Sequence, residues 1–133
     1  MNTKTNQTIT KPIILIVEDN RYFIDKMKKA FQKDLDLSQN YELEIIGDTK
    51  RAQEYFDEHN EKIKLLYLDY MVPGNPLGTT AGLLEKIKSS SYTGPIIAIS
   101  SFMNKQLMKL GCDAEIEKES AIEDASKRLK KSP

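Results

Sequence analysis

Four apolar or mixed runs in this sequence each end in residues that can do chemistry. Residues 12–17 (Pro-Ile-Ile-Leu-Ile-Val) lead into Glu18 and Asp19, and residues 65–68 (Leu-Leu-Tyr-Leu) lead into Asp69. Residues 95–99 (Pro-Ile-Ile-Ala-Ile) lead into Ser100, and the brief run 114–117 (Ala-Glu-Ile-Glu) leads into Lys118. In open α/β sheets, ligands bind outside the carboxyl ends of the strands. If these runs are parallel strands, all the polar ends share one edge. Three carboxylates converging there repel one another. A hard divalent cation relieves that repulsion, and carboxylate oxygens with water are what Mg²⁺ prefers. A cation beside a carboxylate suits phosphoryl chemistry, because the metal neutralises phosphoryl oxygens while the carboxylate attacks phosphorus. The Lys118 ammonium can hold a further phosphoryl oxygen, and the Ser100 hydroxyl can donate to a third. Taken singly, each residue has a plainer use; Asp69 alone reads as a turn or helix-capping acid. Their joint placement favours the chemical reading.

The elements that must position these groups are legible from periodicity. Short continuous apolar runs are the pattern of strands buried on both faces of a parallel sheet. Asn20 can cap a helix in which Phe23, Met27, Ala30 and Phe31 recur at helical spacing. Residues 41–46 alternate apolar and acidic, which suits an edge strand. Asp48 caps a helix carrying Ala52, Tyr55 and Phe56, with His59 exposed near its end. A loop rich in Pro, Gly and Thr occupies 72–80, and Leu83, Leu84 and Ile87 mark the next helix. A short helix at 104–110 is closed by Gly111. Ser120 and Glu123 form a capping box that opens a last helix at 121–130. Strand and helix alternate five times, which predicts an α/β fold: a doubly wound, five-stranded parallel sheet with right-handed crossovers. Residues 1–11 read as a flexible N-terminal tail and 12–131 as one domain.

Composition excludes several alternatives. Lysine plus arginine and aspartate plus glutamate are both 20, so no net charge points to nucleic acid or an anionic membrane. Cys112 is the only cysteine and His59 the only histidine, which excludes a disulfide framework and a Cys/His metal cluster within one chain. No apolar stretch is long enough to span a bilayer, and the polar first residues lack the core of a signal peptide. A cytoplasmic location is expected. A phosphatase of the haloacid dehalogenase type needs a second acid two residues past its nucleophile, where this chain has Met71. No glycine-rich phosphate cradle follows the first strand, so nucleotide binding is not expected.

The motifs Ile-Leu-Ile-Val-Glu-Asp-Asn (14–20), Leu-Asp-Tyr-Met-Val-Pro-Gly (68–74), Ile-Ala-Ile-Ser (97–100) and Gly-Cys-Asp-Ala-Glu-Ile-Glu-Lys (111–118) together resemble the receiver domain of two-component response regulators. The resemblance implies the (βα)5 fold of flavodoxin-like strand order. It makes Asp69 the phosphoacceptor, Ser100 the switch hydroxyl and Lys118 the phosphate-binding lysine. Glu18 and Asp19 become the acidic pair that organises Mg²⁺, with Asp69 and the Met71 backbone carbonyl as further ligands. The implied donor is a histidine kinase or a histidine phosphotransfer protein. No output domain is expected after Pro133, so the signal is expected to leave through a downstream protein target, as in a stand-alone phosphorelay shuttle or chemotaxis-type regulator. Such a chain is not an enzyme towards an outside substrate; it takes part in its own phosphorylation and slow autodephosphorylation.

Several positions depart from the family pattern. Glu115 stands where the family carries an aromatic switch, and Glu119 where proline usually follows the lysine. Residues 74–81 look like an insertion, and the segment from Ser100 to Gly111 is about one turn short. These departures leave an alternative: a pseudo-receiver acting as a phosphorylation-independent interaction module. Without the aromatic, a change on activation is expected at Ser100, at 101–102 and in the 74–80 loop. Met71 and Phe102 are expected to flank the path of a hydrolytic water and to exclude it.

Overall fold

The structure is a computed structural model that describes residues 10–130. The expected N-terminal tail falls mostly on residues outside that range, as does the domain's expected last residue, Lys131. The elements run β1 (Ile13–Val17), α1 (Arg21–Lys33), α2 (Leu35–Asn40), β2 (Glu42–Ile46), α3 (Thr49–His59), β3 (Ile63–Leu68), α4 (Ala81–Lys88), β4 (Ile96–Ala98), α5 (Asn104–Lys109), β5 (Ala114–Glu115), a 3-10 turn (Lys118–Ser120) and α6 (Ala121–Leu129). The strands form one sheet in the order β2-β1-β3-β4-β5, every neighbouring pair parallel. This is the doubly wound α/β fold of flavodoxin-like order, with the order reversing between β1 and β3.

Alternation along the central strands sorts the core into two layers. Leu15, Val17, Leu66 and Leu68 meet Ala52 and Phe56 of α3, Leu84 and Ile87 of α4, and Leu107 of α5. Ile14, Ile16, Leu65 and Tyr67 face the other way, against Met27 of α1, Leu37 of α2 and Ala125 of α6. Because both faces are covered, β1 is buried throughout, which is why its sequence is a continuous apolar run. Tyr67 is fully buried, and its hydroxyl donates to Asp124 Oδ2 at 2.9 Å. That carboxylate also accepts from Arg128 Nε at 2.7 Å, so α6 is fastened to the carboxyl-terminal part of β3 by a satisfied polar pair.

Local signals behave as the sequence suggests at most helix starts. Asn20 Oδ1 accepts from Tyr22 N, and Asp48 Oδ1 accepts from Arg51 N. One element was not anticipated, and three expectations need correction. Helix α2 was not evident: it is one short polar turn capped by Asp34, whose carboxylate accepts from Leu37 N. The capping box at Ser120 does not form. A 3-10 turn runs straight into α6 and satisfies the Ser120 and Ala121 amides through the Glu117 and Lys118 carbonyls, so the Glu123 side chain has no Ser120 amide to cap. His59 is not exposed; its side chain is 11% accessible and its ring centroid lies 4.4 Å from that of Tyr55. Strands β4 and β5 are also shorter than the runs that announce them, for a reason that lies in the site.

Candidate phosphoryl and metal site

The carboxyl ends of β1, β3, β4 and β5 converge at one pocket of about 270 Å³, bordered by Glu18, Asp19, Asp69, Met71, Ser100 and Lys118 together with Phe102. All six residues singled out from sequence are therefore in one place. Asp69 is held by the sheet itself: its N–H donates to Val17 O at 3.0 Å, continuing the β1–β3 ladder one step past the strand. Its Oδ1 accepts from Tyr70 N at 2.8 Å and its Oδ2 from Lys118 Nζ at 3.2 Å. Glu18 is fully buried, its Oε2 accepting from Asn20 N at 2.9 Å.

Lys118 is only 7% exposed and ties the acids together. Its Nζ lies 3.0 Å from Glu18 Oε1 and 3.2 Å from Asp69 Oδ2, and 4.9 Å from the centre of the Phe23 ring on α1. The Phe23 face favours a cation. Burial alone would lower the lysine's pKa, but the close Glu18 carboxylate and the charge of Asp69 outweigh it and hold the ammonium above its ordinary value. Burial pushes the Glu18 carboxyl up, and the charge of Asp69 adds to that, against the opposing bond from Asn20 N–H. One ammonium thus faces two buried carboxylates, with the exposed Asp19 beside them, and negative charge is left in excess.

That excess is the observation that tests a metal. Oxygens of Glu18, Asp19 and Asp69 all lie within 4.8 Å of one another. Glu18 Oε1 is buried and, although 3.0 Å from the lysine, receives no aligned hydrogen bond. Among the described residues, no backbone bond is made to the Met71 carbonyl, on a residue bordering the same pocket. A set of carboxylate and carbonyl oxygens with an under-satisfied buried member fits a hard divalent cation such as Mg²⁺.

Two loops frame Asp69. In the first, residues 69–80, Thr80 Oγ1 donates to the Asp69 carbonyl at 2.7 Å and Thr80 N–H to Tyr70 O at 2.9 Å. Thr49, at the start of α3, donates from Oγ1 to Val72 O at 3.0 Å and from N–H to Pro73 O at 2.7 Å. Gly74 follows with φ +122°, and a Cβ there would lie 2.5 Å from Thr49 N. Asn75 closes the turn beyond, accepting from Gly78 N and donating to Thr79 O. The expected insertion is therefore a fastened hairpin. Thr49 and Thr80 were missed by sequence reasoning because each partner lies 11 or more residues away.

The second loop, 100–103, is built differently. Ser100 Oγ accepts from Met103 N at 3.1 Å, which leaves its O–H free to donate. Ser100 N–H does not extend β4 but donates to Asn104 Oδ1 at 2.7 Å. That detour is why the strand ends at Ala98. Phe102 is 93% exposed, and Met71 58%. Phe102 therefore borders the pocket but covers little of it, contrary to its expected role as a guard. Behind this loop lies a second cavity of about 480 Å³, bounded by Phe23, Asn104, Glu115 and Glu119 and touching Ser100 and Lys118. Glu115 is exposed at its edge, so no ring fills the place of the family's aromatic.

The sheet order, the two helical layers and the acid, lysine and serine at the strand ends define a receiver-domain fold. The chain is similar throughout to solved receiver domains. One is the BeF3-activated N-terminal receiver domain of RstA from Klebsiella pneumoniae, with a TM-score of 0.62 and 25% identity over 88% of this chain and 96% of that one. Another is the signal receiver domain of a putative Luxo repressor protein from Vibrio parahaemolyticus, with a TM-score of 0.65, 16% identity and 86% of each chain covered. A third is in the CheX-CheY-BeF3-Mg²⁺ complex from Borrelia burgdorferi, with a TM-score of 0.62, 18% identity and 90% of each chain covered. No family model matches the sequence, and no curated protein matches it either. Among the described residues no helix is long and apolar enough to cross a membrane.

Proposed function

We propose that this chain works in two-component signal transduction as a phosphoacceptor, taking a phosphoryl group on Asp69. The observation that carries the reading is Lys118 Nζ between Glu18 and Asp69, in a pocket that Ser100 also borders. The donor is a phosphohistidine on a histidine kinase or histidine phosphotransfer protein. An Asp69 carboxylate oxygen forms a bond to phosphorus as the phosphorus–nitrogen bond breaks, the electron pair leaving with the imidazole. Glu18, Asp19, Asp69 and the Met71 carbonyl would hold Mg²⁺, which would supply positive charge to neutralise phosphoryl oxygens. Lys118 exchanges its bond to Asp69 Oδ2 for one to a phosphoryl oxygen, and the free Ser100 O–H donates to another. The acyl phosphate then decays slowly or is passed on, so the chain participates in its own chemistry without turning over an outside substrate. The signal leaves through a downstream protein. The structures it resembles include one of CheY in complex with CheX and one described as a LuxR-family response regulator that binds DNA. This chain's lack of net charge supports a protein target rather than nucleic acid, in the cytoplasm.

Mass spectrometry after incubation with acetyl phosphate and Mg²⁺ tests the reading. One phosphoryl group, labile to hydroxylamine, is expected on the parent and none on Asp69→Ala. Equal labelling of the two proteins would remove Asp69 from the role.

A further inference from the structure

The β4–β5 ladder is very short. Ile97 pairs with Ala114 and Ala98 with Glu115, and the last backbone rung is Ile116 N–H donating to Ala98 O at 3.0 Å. Ser100 and Lys118, the two groups that would hold phosphoryl oxygens, both lie beyond that rung. No backbone bond joins their two segments there among the described residues. The side chain of Asn104 makes the missing connection. Its Oδ1 accepts from Ser100 N–H at 2.7 Å, and its Nδ2 donates to Ile116 O at 3.3 Å. The two ends of the amide fix each other: a backbone N–H can only donate and a carbonyl can only accept, so the reversed amide would satisfy neither.

We infer that Asn104 is a positioning residue for the phosphoryl group: it braces the Ser100 backbone against β5, so that the Ser100 hydroxyl is presented to Asp69. Three features make the brace matter here. The Ser100 amide has no strand partner and depends on this side chain. Ser100 Oγ accepts from Met103 N–H, so its direction is set by the same turn that Asn104 closes. No aromatic side chain at position 115 supports the loop by packing, since Glu115 stands there, exposed at the edge of the neighbouring cavity. Asn104 touches neither the acceptor nor the metal ligands, so it acts through Ser100 alone.

This inference rests on the phosphoacceptor reading, and its test separates the two. Beryllofluoride, a phosphoryl mimic, is titrated with Mg²⁺ into the full chain, and Mg²⁺ is titrated alone. Asn104→Ala should weaken beryllofluoride binding about tenfold, the scale of one well-placed hydrogen bond. Its Mg²⁺ affinity should stay within about twofold of the parent, since the acidic cluster is untouched; a general loosening of the fold would lower both. In the Ser100→Ala background, adding Asn104→Ala should cost little more, because a brace has no effect once the hydroxyl it presents is gone. Full additivity of the two substitutions would overturn the inference, as would unchanged beryllofluoride affinity in the single variant. A parent protein that binds no beryllofluoride would overturn the phosphoacceptor reading, and this inference with it.

Discussion

The two loops beside Asp69 come from adjacent strands and border the same pocket, yet they are held by opposite means. The loop after β3 is fastened at several points by buried threonines and a closing asparagine, and Gly74 lies against the start of α3. The loop after β4 is held by one amide side chain and the Ser100 hydroxyl, and it carries a phenylalanine that is 93% exposed. Local stability follows buried contacts and satisfied hydrogen bonds rather than loop length. The longer loop is thus the rigid one. The loop that carries Asp69 is a fixed mount, and if Asp69 is phosphorylated as proposed, movement is expected in the loop that carries Ser100. This narrows the sequence-based expectation, which gave both loops a share.

Four substitutions test that contrast, beginning with the most damaging. Gly74→Ala forces a side chain into left-handed backbone and onto Thr49 N, so it should cost about 3 kcal/mol, seen as a lower urea midpoint. A loss under ~1 kcal/mol would mean the hairpin gives way easily and the contrast is weak. Thr80→Val keeps the shape but leaves the Asp69 carbonyl without its donor, for a loss of about 1–2 kcal/mol. The same variant should also slow labelling of Asp69, whereas a purely global effect would leave the rate of the folded fraction alone. Met71→Asn places a polar group beside the pocket, where it can orient water. The phosphoprotein's half-life should fall several-fold, as ~1 kcal/mol in a barrier implies; an unchanged half-life removes Met71 as a guard. Phe102→Ala should do least. Stability should shift by less than ~0.5 kcal/mol and the half-life should hold, because so exposed a ring shields little. A marked acceleration in that variant would restore Phe102 to the guarding role.

What the sequence made legible was whatever repeats along the chain. Buried strands announce themselves as apolar runs, and in a parallel sheet their ends must share an edge. The fold class and the gathering of Glu18, Asp19, Asp69, Ser100 and Lys118 were readable for that reason. Asn20 and Asp48 were readable as caps because a cap bonds to an amide only two or three residues away. The Ser120 box failed in part because a 3-10 turn already bonds the Ser120 amide that the Glu123 side chain would have capped. Nothing local marks Thr49, Thr80 or Asn104. Thr49 reaches a residue 23 positions away, Thr80 one 11 away, and Asn104 spans 12 to Ile116. Contacts of that kind exist only after the sheet has brought the loops together. Tyr67 was correctly counted as core, but its hydroxyl's partner lies 57 residues on and left no trace in composition.

The open margins of the sheet have a consequence for how the molecule behaves in a crowd. With equal numbers of acidic and basic residues, the chain has no overall repulsion to keep copies apart. An exposed strand margin offers unpaired amides and carbonyls to any second copy that approaches. Protection against clumping must therefore be local, and it is present at both margins. On one side β2 carries Glu42 and Glu44 between its apolar residues, so a second β2 laid alongside would set like charges against each other. On the other, β5 is two residues long, and Glu115, Glu117 and Glu119 crowd its end. The short ladder that makes Asn104 necessary also leaves almost nothing for a foreign strand to pair with.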